Sequence, residues 1–146
     1  MTNKLEIKIA AMLENEGVVR NAVASFVSSY NPTLEEIIDI KTILSEAVSN
    51  AIIHGYEFDK TKDVYVKATI NNHVLEIIVQ DYGKGIENVQ EALKNHFSTK
   101  KENEKTGIGF TIMRSLSDQF EIQSSLNVGT KLKIIKILQT DAIKAN

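Results

Sequence analysis

The stretch Ile43–Gly55 sets Glu46, Asn50 and His54 four residues apart, a spacing that puts an acid, an amide and an imidazole along one edge of a helix. Leu44, Ala47, Val48, Ala51 and Ile52 recur at core-facing positions, so this polar chemistry rides on a rigid element and not on a loop. Asp81 ends an apolar run and opens Asp81-Tyr82-Gly83-Lys84-Gly85. A carboxylate there must find hydrogen-bond donors or stay solvated at a cleft, and the amino group of a purine is one such donor. Gly83 and Gly85 let the backbone turn sharply and approach a planar base. Thr106-Gly107-Ile108-Gly109 leads into another apolar helical pattern, and the free amides of a helix start favour an anion such as phosphate. Taken singly, each stretch also has an ordinary reading. Glu46 and Asn50 fit a solvated helix edge, Asp81 to Gly85 a strand-to-loop turn, and Gly107 and Gly109 a flexible helix entry.

Hydrophobic periodicity predicts the elements that hold these residues. Leu5, Ile7 and Ile9 alternate with Glu6 and Lys8, which gives a strand near residues 4–13. Val18, Val19, Ala22, Val23, Phe26 and Val27 take helical spacing over Asn15–Tyr30, leaving Arg20, Asn21, Ala24, Ser25 and Ser28 outside. After Asn31-Pro32, a capping box of Thr33 and Glu36 starts a helix over Leu34–His54, with Gly55 as a left-handed cap. Tyr56–Lys62 reads as a polar connection. Asp63–Ile70 and His73–Gln80 alternate about Asn71-Asn72 and predict a tight hairpin. Glu87–Lys94 forms a short helix, and His96–Lys105 reads as a mobile lysine-rich loop. The helix after Gly109 buries Phe110, Ile112, Met113 and Leu116. Phe120–Ser124 and Thr130–Leu138 make a last hairpin about Asn127-Val128-Gly129, and Gln139–Asn146 frays. A sheet of about five strands with longer helices on one face accounts for the pattern as α+β, in one domain over residues 1–146.

Composition narrows the function classes. A chain of 146 residues that is 42% hydrophobic and 25% charged can bury its own core as one soluble domain. It has Cys 0, so it carries no disulfide framework, thiolate nucleophile or thiolate metal site. A net charge of -2 excludes generic nucleic-acid binding, which needs clustered Lys and Arg. Residues 1–8 lack an apolar signal core and no run approaches the ~20 apolar residues of a membrane span, so a cytoplasmic protein with no membrane partner is expected.

Together, in this order and spacing, the stretches resemble the GHKL superfamily of gyrase, heat-shock chaperone, histidine kinase and mismatch-repair ATPases. Glu46–His54 is similar to its N box, Asp81–Gly85 to its first glycine box and His96–Lys105 to its ATP lid. Thr106–Gly109 is similar to its second glycine box, and Gly129-Thr130 to the threonine of its last hairpin. The resemblance implies a Bergerat-type two-layer sandwich with a mixed, largely antiparallel sheet covered on one face by helices. It implies ATP and Mg2+ as cofactors, with Asp81 accepting from the adenine amino group, Thr130 supporting it through the pocket floor, and Asn50 coordinating the metal. Gly83, Gly85, Lys105, Thr106, Gly107 and Gly109 would complete the nucleotide site. Only one strand and one helix are expected before Glu46, and the chain ends soon after Leu138. Neither the phosphoacceptor hairpin of a histidine kinase nor the transducer of a gyrase-type ATPase is therefore expected.

From Met1 to Met113 the chain is further similar to the anti-sigma F factor family, protein serine kinases of that superfamily. This implies a homodimer that holds a sporulation sigma factor, sigma F, inactive in an ATP-dependent way and phosphorylates the anti-anti-sigma factor AA. Glu46 is implied as catalytic base, and Arg20 as the residue presented to both partners. Lys105 stands where the lid of that family carries arginine, keeping the charge without the planar fork. Two other classes stand beside the kinase: an ATP-gated binding module and an ATPase without a protein acceptor. Glu46 disfavours the first, because binding alone needs no base, and the lack of a transducer disfavours the second.

Overall fold

Val64, Val66, Ala68 and Ile70 alternate with Tyr65, Lys67 and Thr69, and a period of two sends the first set to one face of a strand. The computed structural model describes residues 2–94 and 101–139, and for 101–107 the backbone alone. In it those residues form β2 (Asp63–Asn71), with the aliphatic set buried. β3 (Val74–Asp81) repeats the pattern with Leu75, Ile77 and Val79, and its last inward residue is Asp81. β1 (Thr2–Ala10), β4 (Gln119–Ser125) and β5 (Gly129–Ile137) complete a sheet of order β1-β2-β3-β5-β4. Every described pairing is antiparallel, so the sheet expected to be mixed is not. The out-of-order insertion of β5 beside β3 sets Thr130 directly across from Asp81.

The long helices α1 (Glu16–Ser28), α2 (Leu34–Asn50) and α4 (Lys101–Ser115) cover the buried face, with the short α3 (Val89–Lys94) beside α4. α1 buries Val19, Val23, Ala24 and Val27, whereas Val18, expected inside, is 62% exposed. Ala24, expected outside, is buried in its place, so the buried stripe of α1 runs on the side away from Val18. Thr33 and Glu36 form the expected capping box: the Glu36 N–H donates to Thr33 Oγ1 at 3.1 Å, and the Thr33 N–H to Glu36 Oε1 at 2.8 Å.

α2 does not end on a left-handed glycine. Its ladder opens into a π-helical turn over Ala51–Gly55, and the positive φ angles fall later, at Glu57 and Phe58. The hairpin between β2 and β3 likewise turns one residue late, with positive φ at Asn72 and His73, since β2 pairs through Asn71. The loop expected over His96–Lys105 is contradicted from Lys101 onward, where α4 begins and runs through Gly107 and Gly109. Lys and Glu are strong helix formers and no proline intervenes, while each glycine costs about 1 kcal/mol, offset here by the burial of Phe110 and Met113. His96–Lys100 and the expected frayed tail from Thr140 lie outside the described residues. Gln139, assigned to that tail, donates its N–H to Glu36 Oε2 at 2.6 Å.

A lysine joins the layers. Lys136, 9% exposed on the inner face of β5, donates from Nζ to Asp39 Oδ2 of α2 at 3.2 Å and to the Leu116 carbonyl oxygen at 2.8 Å. Removing one member of such a pair strands the other charge, so Lys136→Ala should lower the unfolding free energy by about 3 kcal/mol. Urea denaturation should show a lower midpoint at an unchanged slope, and Lys136→Met combined with Asp39→Leu should recover most of the loss.

Candidate functional site

A cavity of about 300 Å³ opens between the end of α2, the loop after β3, α3 and α4. Asp81, 5% exposed, and Thr130 form its floor, while Asn50, His54 and Phe110 line it from the helical layer. Glycines surround Asp81 because nothing larger fits. A Cβ on Gly55 would lie 2.7 Å from Asp81 Oδ1, one on Gly83 2.0 Å from the Gly55 carbonyl oxygen, and one on Gly129 2.2 Å from the Asp81 carbonyl oxygen. Gly85, at φ 71°, lines the cavity and passes so near the Ser125 carbonyl oxygen that a Cβ would sit 2.0 Å away. Gly83 donates its N–H to Asp81 Oδ1 at 2.9 Å. Burial pushes the Asp81 carboxyl up to about 6, and the backbone N–H groups of Gly83 and Thr130 offset part of that rise.

Asn50 also lines the cavity, and its Nδ2 is buried without a hydrogen-bond partner. Glu46 reaches the same point over Gly109 as Asn50, as their spacing predicts. It also lines a groove of about 360 Å³ with Arg20, Asn21, Lys41, Thr42 and Ser45, between α1 and α2. Gly109 lies against both, since a Cβ on it would be 2.9 Å from Glu46 Oε2 and 3.2 Å from Asn50 Nδ2. α4 therefore crosses α2 closely over the acid and the amide only because Gly109 has no side chain. This corrects the second expectation for the Gly107 and Gly109 stretch. Both glycines lie inside α4, where backbone amides are engaged in the helix, and do not present a helix start to an anion. Lys105, Thr106 and Gly107 belong to the same helix, and their side chains lie outside the described residues.

Arg20, with its side chain 39% exposed, sits 3.6 Å from Glu16 Oε1. The same carboxylate accepts from the Ser45 hydroxyl, so Glu16 ties α1 to α2 beside Glu46. Sequence reasoning passed over Glu16, and over two further residues that shape the floor. Tyr56, 7% exposed, donates its hydroxyl to the Asp63 carbonyl oxygen at 2.6 Å and accepts the Tyr82 N–H at 2.8 Å, which fixes the peptide following Asp81. Its signal was an aromatic immediately after a helix, in a connection whose other apolar residue is Phe58 alone. Ser124 Oγ accepts the Ile86 N–H at 2.7 Å and lies 2.8 Å from Thr130 Oγ1. No local spacing marks it, because Ile86 is 38 residues away.

A helix-covered antiparallel sheet with a buried acceptor at the floor of a glycine-walled cavity is the arrangement of a nucleotide-binding ATPase domain. Residues 9–136 match the histidine kinase-like ATPase domain family. A crystal structure of RsbU and RsbW domains from Mycobacterium tuberculosis shares the fold, with a TM-score of 0.68 over 93% of this chain and 32% of that one, at 20% identity. An anti-sigma F factor of Anoxybacillus flavithermus is 46% identical over 138 residues, 94% of each chain. Anti-sigma F factors of Clostridium perfringens and Bacillus subtilis are 45% and 40% identical, covering 96% and 100% of this chain and 100% of their own. This chain thus belongs to the anti-sigma F factor family and carries its histidine kinase-like ATPase domain. Among the described residues no helix is long and apolar enough to cross a membrane.

The Asp81 carboxyl should be visible in stability. Its folded value of about 6 lies above the ordinary 3.8, so between those values the folded state holds a proton that the unfolded chain releases. The stability this contributes is complete below about pH 4 and is lost as pH rises through about 6. Denaturation of nucleotide-free protein from pH 4 to 7 should show a fall of about 2–3 kcal/mol that Asp81→Asn removes.

Proposed function

We propose that this chain is an ATP-dependent anti-sigma factor and protein serine kinase. In this reading it holds a sporulation sigma factor of the sigma F type inactive and phosphorylates a serine of the anti-anti-sigma factor AA. The carrying observation is the meeting of Glu46 and Asn50 at Gly109, where the cavity on one side of α4 adjoins the Arg20 groove on the other. A carboxylate so placed stands between a nucleotide and an incoming protein segment. The relatives named as anti-sigma F factors support the sigma-factor partner, and the histidine kinase-like ATPase domain supports ATP.

Asp81 accepts a hydrogen bond from the adenine amino group, and Thr130 completes the floor, with Gly83 and Gly85 shaping the loop above it. Among the described residues there is no cluster of three His, Cys, Asp or Glu side chains able to hold a resident metal. The donor set instead fits an Mg2+ ion that arrives with the triphosphate. The Asn50 amide, which lines the cavity, would be its protein ligand through Oδ1, while phosphate oxygens and water fill the other positions. When bound, Mg2+ supplies charge neutralisation for the transferring phosphoryl group. Lys105 and Thr106, near the start of α4, are the phosphate-side residues in this reading. Glu46 takes the proton of the serine hydroxyl as its oxygen bonds to the γ-phosphorus and the bond to the β–γ bridging oxygen breaks, releasing ADP. Arg20 and Lys41 give the groove a positive rim suited to acidic side chains of the partners, which would compete for it on a homodimer acting in the cytoplasm.

Two experiments test this. With purified AA and γ-labelled ATP, label should appear on AA and not as free phosphate. Glu46→Gln should keep the thermal stabilisation by Mg-ATP while transfer falls about 10²- to 10⁴-fold, and near-normal labelling would remove Glu46 as base. In titrations with each partner, Arg20→Glu should weaken both sigma factor and AA about thirtyfold or more with ATP stabilisation intact. Unchanged affinities would return Arg20 to the role of a surface charge.

A further inference from the structure

We infer that Glu16 is a positioning residue for Arg20: from behind the groove it holds the guanidinium in the orientation that an acidic group of an incoming partner meets. The inference rests on the reading of Arg20 as a partner contact, and it names the side chain that makes this contact ready before the partner arrives. A glutamate–arginine pair four residues apart on a helix is common and by itself stabilises little. Three features set this pair apart. The Glu16 side chain is 13% exposed against 39% for Arg20, so the acid lies inside and the cation outside. Glu16 Oε1, which faces Arg20 Nη1 at 3.6 Å, also accepts the Ser45 hydroxyl, so α2 fixes the acid that α1 offers to its own arginine. Gly17 leaves room for the guanidinium, since a Cβ there would lie 3.3 Å from Arg20 Nη2.

Arg20 thus folds back along α1 toward the helix start, where the free backbone amides carry partial positive charge and repel a cation. Glu16, the first residue of α1, supplies the negative charge that keeps the guanidinium there. Arg20 and Ser45 both line the groove, and the carboxylate they share lies behind its wall. A guanidinium carries five N–H donors, so one edge can face Glu16 while the others remain for a partner carboxylate. A long side chain loses rotamer freedom when it docks, and one that is already held loses less. The same carboxylate would instead compete with the partner's if it had to be left before docking. The two roles differ in sign: removing the charge of Glu16 weakens the partner in the first and strengthens it in the second.

The test is a double-mutant cycle read in partner binding and in kinetics. Affinities for purified sigma factor and AA, and kcat and KM for phosphorylation of AA, are measured for the parent, Glu16→Gln, Ser45→Ala, Arg20→Ala and the two doubles with Arg20→Ala. Glu16→Gln keeps the shape and an acceptor for Ser45 but drops the charge. It should weaken both partners about three- to tenfold and raise KM for AA by the same factor, with kcat within about twofold of the parent. Ser45→Ala loosens the acid without removing it and should act in the same direction by about two- to threefold, which decides the matter if Glu16→Gln unsettles α1. On the Arg20→Ala background neither change should weaken the partners further. An unchanged or higher affinity in Glu16→Gln, or equal losses with and without Arg20, would overturn the inference, since the acid then competes for Arg20 or only ties the helices together. Arg20→Ala separates the underlying reading. If it binds both partners as the parent does, the contact role of Arg20 fails and the inference with it; if it weakens them while the Glu16 and Ser45 variants do not, the inference alone fails.

Discussion

A carboxylate at the inner end of β3 is the constraint on which the rest of the site depends. Asp81 is 5% exposed, and a group so desolvated is tolerated only when its neighbours supply donors and leave no bulk against it. Gly83 and Thr130 supply backbone N–H groups, and Gly55, Gly83 and Gly129 are bare because a side chain at any of them would strike Asp81 or the backbone beside it. Even the irregular end of α2 follows from this requirement. The π-helical turn brings Gly55 against Asp81 and lets the Gly55 carbonyl oxygen take the Lys84 N–H at 2.8 Å, so the helix exit and the glycine loop are one unit. Tyr56 then locks the next peptide from below. The carboxyl that results has its proton affinity raised by burial.

A second constraint separates the two sides of the chemistry. Because Gly109 lets α4 lie on α2, the edge that carries Glu46 and Asn50 is covered at its middle, with the amide left to the cavity and the acid to the groove. The cavity and the groove therefore lie on different faces of one helix pair. Glu16, held by both Arg20 and Ser45, couples the groove wall to the residue next to Glu46.

Much of this was legible in residue order. The alternation of Val64, Val66, Ala68 and Ile70, the capping box of Thr33 and Glu36, and the apolar spacing of α2 each encode an element by local rules, since their partners lie within a few residues. Asp81, Gly83, Gly85 and Asn50 stood out because polar or bare residues in apolar patterns are costly unless used. What stayed hidden was set at longer range. Val18 reads as apolar and periodic, yet the packing partners of α1 turn it outward. Lys136 reads as a surface lysine, but its ammonium is buried between Asp39 and the end of α4.

By itself, then, the sequence determined an α+β chain with a polar helix edge, an acid closing a core strand and glycines on either side, together with the family those motifs mark. Periodicity, capping and turn chemistry act over spans of one or two turns and can be read without coordinates. Only the tertiary structure decided that β5 lies beside β3 and so puts Thr130 across from Asp81, that Ser124 reaches Ile86 and Thr130, and that Gly109 lets α4 close over Glu46 and Asn50. Each of these depends on chains distant in sequence meeting at close range, where the deciding forces are backbone contact and hydrogen-bond satisfaction in a desolvated floor, and those have no local signature.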